Sequence, residues 1–328
     1  MPDLSTTYMG MRLSSPVIVG ACALSKRVDN IKAAEDAGAG ALVIKSLFEE
    51  QLQSEALQLD AALAEYENMI AESIRFHPSL EHGGTAEHLM WMERARKAVK
   101  MPLIASLNAV SPGAWSDFAA QLAGAGADAL ELNFYSVITN ANITDAGVLK
   151  AFVDTLADVK AKVKIPVAVK MSPYFAAPLN AAMALCQAGA DGLVLFNRFA
   201  QPDIDIDLEK LSLNMSLSSK SELGHTLRWT GLMSGKVSAD LCANTGIYDA
   251  EDGIKTLLAG ANAFQTVSVL IAKGLPFIRR INEGISGWMS RKGYNSIADF
   301  RGKVSEAKVS DPFAFERAQY IKALLGFD

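Results

Sequence analysis

Ala188-Gly189-Ala190-Asp191-Gly192-Leu193-Val194-Leu195-Phe196-Asn197 reads as a helix end, a turn, a buried strand and a polar tip. The glycine between two small residues supplies the left-handed position that stops a helix and lets it pack closely on a sheet. The apolar run that follows lacks polar alternation, so it is covered on both faces, as in a parallel sheet flanked by helices. The unit recurs. Ala-Gly-Ala stands at 37–39, 125–127, 188–190 and 259–261, each time just before a strand-like run.

With Val17 to Ala21 as the first, eight runs have this character: 17–21, 41–45, 103–107, 128–132, 167–170, 192–196, 239–243 and 262–266. Helical patterns fill the intervals, among them Val28 to Ala37, Trp115 to Gly124, Ala146 to Val163, Ala177 to Ala188 and Ala250 to Ala259. Strands alternating with helices give right-handed crossovers, and eight strands are what a closed barrel needs. The expected fold class is therefore α/β, a (β/α)8 TIM barrel, with residues 1–328 as a single domain. Two insertions are expected, at 46–100 after the second strand and 198–235 after the sixth, where they can wall or cover the mouth. Thr6 to Ser15, with Gly10 at its middle, reads as an N-terminal hairpin plugging the opposite end, and the tail from Gly274 starts as the eighth helix.

Composition narrows the function. Of 328 residues, 50% are hydrophobic and 20% charged, enough apolar content for one large core. The net charge of -5 and the lack of any basic run exclude a nucleic-acid footprint. No apolar run approaches the ~18 residues of a spanning helix, and no signal segment is present, so no membrane partner and a cytoplasmic location are expected. Cys22, Cys186 and Cys242 are odd in number and widely separated, which disfavours a disulfide framework, a zinc knuckle or an iron–sulfur cluster.

Chemistry concentrates at the ends of the runs, which finish on or just before Lys45, Asn108, Asn133, Lys170, Asn197, Asn244 and Ser268. In a barrel these tips converge on one mouth. Two lysines with several amides suit an anionic, planar, amide-rich ligand: lysine stabilises developing negative charge, and asparagine reads carbonyl and N–H edges together. No metal is expected, because His77, His82, His88 and His225 fall outside the tips and read as surface or loop histidines.

The string Glu131-Leu132-Asn133-Phe134-Tyr135-Ser136, followed by Thr139-Asn140-Ala141-Asn142, is specific. It resembles the fourth strand of the dihydroorotate dehydrogenase family, Glu-Leu-Asn-Leu-Ser-Cys-Pro-Asn or its serine variant. Val43-Ile44-Lys45-Ser46 is similar to that family's second-strand Lys-Ser, and Val169-Lys170-Met171-Ser172-Pro173-Tyr174-Phe175 to its Val-Lys-Leu-Pro-Pro-Tyr-Phe. Lys292-Gly293-Tyr294-Asn295-Ser296-Ile297-Ala298-Asp299-Phe300 is close to its C-terminal segment. The resemblance covers nearly the whole chain. It implies FMN across the barrel mouth, passing over Gly20 and Ala21, with Asn108 and Asn133 among its ligands and Lys170 at the flavin edge that gathers negative charge. It also implies Ser136 as catalytic base, with Tyr135 as competitor, Lys45 touching flavin and substrate, and Asn133, Asn140 and Asn197 binding substrate. The implied reaction oxidises dihydroorotate to orotate, as in pyrimidine biosynthesis, with a soluble but unidentified electron acceptor and a homodimer as the assembly.

Three departures bear on that picture. The family's phosphate grip, Gly-x-Gly-Gly-Ile and Gly-Thr or Gly-Ser, is here Ala243-Asn244-Thr245-Gly246-Ile247 and Thr266-Val267-Ser268, with hydroxyls replacing bare glycines. The family's substrate loop Asn-Ser-Met-Gly-Leu-Pro-Asn is absent between Glu49 and His88, where Ile74-Arg75-Phe76-His77-Pro78 offers a cation and an aromatic instead. The Pro-Asn after the catalytic position is replaced by Val137-Ile138-Thr139-Asn140. Two alternatives stay open: an FMN oxidoreductase of another cyclic amide or enone, and a non-redox phosphometabolite-binding barrel.

Overall fold

The computed structural model describes residues 1–48, 85–108, 114–134, 137–199, 201–214 and 216–316. The chain opens with an antiparallel hairpin, β1 (Thr6–Tyr8) and β2 (Met11–Leu13), turned by Met9 and Gly10 at φ 53° and 73°. There follow β3 (Val17–Val19), α1 (Val28–Asp36), β4 (Ala41–Phe48), α2 (Thr85–Ala98), β5 (Leu103–Asn108), α3 (Ala114–Gly124), β6 (Ala129–Asn133) and α4 (Asp145–Lys162). Next come β7 (Val167–Lys170), α5 (Pro178–Gln187), β8 (Gly192–Leu195), β9 (Gln201–Asp205), β10 (Lys210–Asn214) and α6 (Leu223–Met233). The last are β11 (Asp240–Ala243), α7 (Ala250–Ala259), β12 (Ala263–Thr266), α8 (Ser268–Lys273) and α9 (Phe277–Lys292).

Strands β3, β4, β5, β6, β7, β8, β11 and β12 pair in parallel in that order and close on β3, so the expected TIM barrel is present. The Ala-Gly-Ala punctuation works as its chemistry requires. Gly38, Gly126, Gly189 and Gly260 have φ from 88° to 125°, and the alanine after each donates its N–H back to Ala34, Leu122, Leu185 and Thr256. That bond closes the helix end and turns the chain into the next strand.

Two cores result. Outward residues of the strands pack against the helices, while the lower barrel interior holds Ile18, Ala41, Val43, Ile104, Ala129, Ala168, Val194, Cys242 and Ala263. Tyr8, Met9 and Leu13 of the hairpin fill that lower end, as the plug reading expects. Tyr8 is wholly buried, and desolvation pushes its phenol well above its ordinary pKa, so it stays protonated.

The two insertions are shorter than expected. Of 46–100, β4 continues to Phe48 and Thr85–Ala98 is the barrel's own second helix, packed between α1 and α3; residues 49–84 lie outside the described residues. Of 198–235, the added part is the β9–β10 hairpin, and Leu223–Met233 is the helix that packs on β8 and β11. The helical stretches of both segments carry the apolar positions a barrel helix buries, such as Met92 and Ala95 on α2.

Candidate active site

The side chains of successive strand residues alternate, so the residue two above each apolar interior position points to the same interior. On β6, Ala129 is followed inward by Glu131 and Asn133; on β7, Ala168 by Lys170; on β12, Ala263 by Gln265. This second layer is polar and buried. Lys170 Nζ donates to Gln265 Oε1 at 3.0 Å and lies 3.5 Å from Glu131 Oε1, and Gln265 Nε2 donates to Glu131 Oε2. Glu131 and Lys170 are 1% and 7% exposed, so salt screens the pair less than it would a surface pair.

Above this layer opens a cavity of about 570 Å³, lined by Ala21, Lys45, Asn133, Lys170, Asn197 and Gln265 on one side. Its volume suits a small-molecule or cofactor site. Asn197 Nδ2 donates to Asn133 Oδ1, which couples the tips of two strands into one rim. Lys45 sits where β4 bulges, between the Ile44–Ala105 and Leu47–Leu107 pairs, and such a bulge re-aims a side chain. Its backbone N–H is held by Ser25 Oγ at 2.8 Å. Burial, and then the neighbouring Lys26 ammonium, pull Lys45 below the ordinary lysine range.

The far wall is Arg198, Ser216–Ser218 and Asn244–Ser268 residues that gather where β11 and β12 end. Arg198 Nη1 donates to the Ser216 carbonyl at 2.6 Å, and the Tyr248 hydroxyl donates to the Ser218 carbonyl, pinning this segment over the mouth. Thr245 and Gly246 take φ of 79° and 78°; a Cβ on Gly246 would meet the Leu223 backbone at 2.5 Å, so only glycine fits there. Ser268 Oγ accepts from both Ser218 N (3.1 Å) and Ser218 Oγ (2.8 Å).

The sequence-named residues divide. Lys45, Asn133, Lys170, Asn197, Ala21, Asn244, Thr245, Gly246, Thr266 and Ser268 all line the cavity. Three of these direct their polar groups to loop carbonyls: Asn244 Nδ2 donates to the Phe196 carbonyl at 2.6 Å, Thr245 Oγ1 to the same carbonyl at 3.4 Å and Thr266 Oγ1 to the Ile247 carbonyl at 3.0 Å, so they brace the loops. Gly20 lies behind the lining, where a Cβ would come 2.8 Å from the Val267 side chain. Asn108 is buried beside Asn133, and its Oδ1 has no hydrogen-bond partner among the described residues. Asn140 is not brought to the cavity: it is exposed and its Oδ1 accepts from Asn142 N at 2.9 Å, closing its own turn. Tyr135, Ser136 and the Arg75–His77 segment lie outside the described residues.

His88 differs from the surface reading. It rides on α2 with Nε2 buried and without a hydrogen-bond partner among the described residues, and burial followed by the Lys45 charge holds its pKa below the ordinary histidine value. Glu131, Gln265, Cys22 and Arg198 were not assigned to the site from sequence, although the first two are polar residues interrupting apolar runs at inward positions.

The family model described as dihydroorotate dehydrogenase matches residues 3–289. The chain belongs to the dihydroorotate dehydrogenase family. It is an oxidoreductase of that family, acting on CH–CH bonds. Among its relatives, a protein of Aeropyrum pernix provisionally assigned as dihydroorotate dehydrogenase A (fumarate) is 28% identical over 93% of this chain and 99% of its own length. The dihydroorotate dehydrogenase B (NAD(+)) catalytic subunit of Thermoplasma volcanium is 25% identical over 92% of this chain and 98% of its own. The Escherichia coli NAD-dependent dihydropyrimidine dehydrogenase subunit PreA is 24% identical over 92% and 76%. Among the described residues, no helix is long and apolar enough to cross a membrane.

Proposed function

We propose that the chain binds FMN at the barrel mouth and oxidises dihydroorotate to orotate. The observation that carries this reading is the convergence of Lys45, Lys170, Asn133 and Asn197 on one cavity above a buried ionic layer. The residues fit the cofactor: an ammonium for the ring edge, and the Ser268 hydroxyl, whose own O–H is not used by Ser218, beside Thr245 and Gly246 for the phosphate end. When bound, FMN supplies a hydride acceptor.

The remaining work falls to the chain. Lys170 fixes a positive group where negative charge develops, without reorganising, because its ammonium is already tethered. Asn133 and Asn197, joined to each other, present a rigid amide pair to a ring that itself carries amides. Lys45 offers a cation at the rim for the substrate carboxylate. Ser136 takes the proton from the ring carbon beside the carbonyl, by its place three residues after Asn133. The same reading makes this a cytoplasmic enzyme, homodimeric, that passes electrons to a soluble acceptor.

A second reading has one specific support. The family's substrate loop is missing, and the matched relatives include a dihydropyrimidine dehydrogenase subunit as well as dihydroorotate dehydrogenases, so another cyclic amide competes as substrate. Anaerobic addition of dihydroorotate or dihydrouracil to the FMN-loaded protein separates them. Bleaching by dihydroorotate alone supports the proposal; bleaching by dihydrouracil alone transfers the site to the second reading, and bleaching by neither removes both substrates.

A further inference from the structure

We propose that Glu131 is a positioning residue for Lys170, holding its ammonium as a fixed one-proton donor into the cavity and so setting the reduction potential of the bound flavin. The inference rests on the FMN reading. An ammonium has three N–H groups. Two are spoken for from below and beside, by Gln265 Oε1 at 3.0 Å and Glu131 Oε1 at 3.5 Å, while Lys170 itself lines the cavity. One donor is left for a ligand.

Gln265 locks the arrangement. Its carbonyl oxygen accepts from Lys170 and its amide nitrogen donates to Glu131, so each of the three groups touches the other two and a flipped amide would set donor against donor. Beneath Glu131 lie Tyr8 and Cys242, both fully buried, and burial keeps both protonated and uncharged. Among the described residues Lys170 is the one cation in contact with this carboxylate.

The consequence is electrostatic. A lone buried lysine would present a full positive charge to the flavin edge. Paired with Glu131 it presents the positive end of a neutral pair, which favours the reduced, negatively charged flavin less strongly. Glu131 thus moderates the cation that Lys170 supplies, and it also lets that cation be buried at all.

Two readouts test this. In the first, Lys170→Met alone leaves the Glu131 carboxylate buried without a cation, and the melting temperature of the apo-protein should fall; the double variant Lys170→Met/Glu131→Gln should recover most of the loss. A double variant no more stable than the single one overturns the coupling. In the second, the flavin potential is measured at pH 6 against a reference dye. Glu131→Gln should raise it by at least a tenfold shift in the oxidised-to-reduced ratio, about 30 mV for a two-electron couple. Glu131→Asp should lie between that variant and wild type. An unchanged potential in FMN-bound Glu131→Gln overturns the proposal. If wild-type protein takes up no FMN, the flavin reading falls by itself, and the melting readout still decides whether Glu131 holds Lys170.

Discussion

The lower and upper halves of the barrel interior are built from the same strands, one pleat apart, and differ in almost every chemical respect. Below, Ala129, Ala168, Ala263 and Cys242 pack with Tyr8 and Ile104 into an apolar plug. Two residues further along each strand stand Glu131, Lys170, Gln265 and Asn244. The lower layer gains stability from area removed from water; the upper layer spends part of that stability on buried charge and obtains a fixed electrostatic field in return. A period of two is thus enough to separate the part of the barrel that holds it together from the part that does chemistry.

The most severe way to break this contrast is to move a charge down one pleat. Ala129→Glu places a carboxylate among Tyr8, Ile104 and Ala168, with no cation among the described residues of that cluster, and the fold should be lost or weakened by several kcal/mol. Chemical denaturation measures it; a stable Ala129→Glu protein would show that the lower layer tolerates charge and that the division is not physical.

A milder change sharpens the contrast. Ile104→Ala removes a wholly buried side chain from the plug and should cost about 2–5 kcal/mol, with FMN retention unchanged at temperatures where the variant stays folded. Loss of FMN at those temperatures would mean that the two layers are mechanically coupled.

The smallest expected effect lies at the edge of the upper layer. His88 has its pKa depressed by burial, so the native state holds the neutral ring while the unfolded chain binds a proton below its ordinary value of 6.5. The unfolded state then binds more protons, and stability is full above that pH and falls as pH drops through the window beneath it, by at most ~1.4 kcal/mol per pH unit for one group. Comparing melting curves of wild type and His88→Phe between pH 7 and pH 5 should show a shallower acid slope in the variant; equal slopes would assign the acid sensitivity to other groups.

The fold was readable because both of its signals are local: each apolar run has its own length, and each Ala-Gly-Ala carries its own left-handed glycine. The strand-tip residues Lys45, Asn133, Lys170 and Asn197 were readable for the same reason, since strand ends in a closed barrel must converge. Glu131 and Gln265 needed pairing across the barrel, from β6 to β12, which no single segment displays. Ser218 was hidden because the β9–β10 hairpin returns the chain to the mouth at a distance that sequence spacing does not encode. Asn140 stands apart from these: its short polar side chain is engaged within its own turn, a local option that a motif match does not weigh.

The central claim, that the upper layer is a flavin site, is tested most directly by one visible absorption spectrum. The protein is incubated with FMN, passed through a desalting column and scanned, with its concentration determined independently. The account predicts a yellow protein carrying close to one FMN per chain; a colourless protein after that treatment would contradict it and leave the barrel mouth to a non-redox ligand.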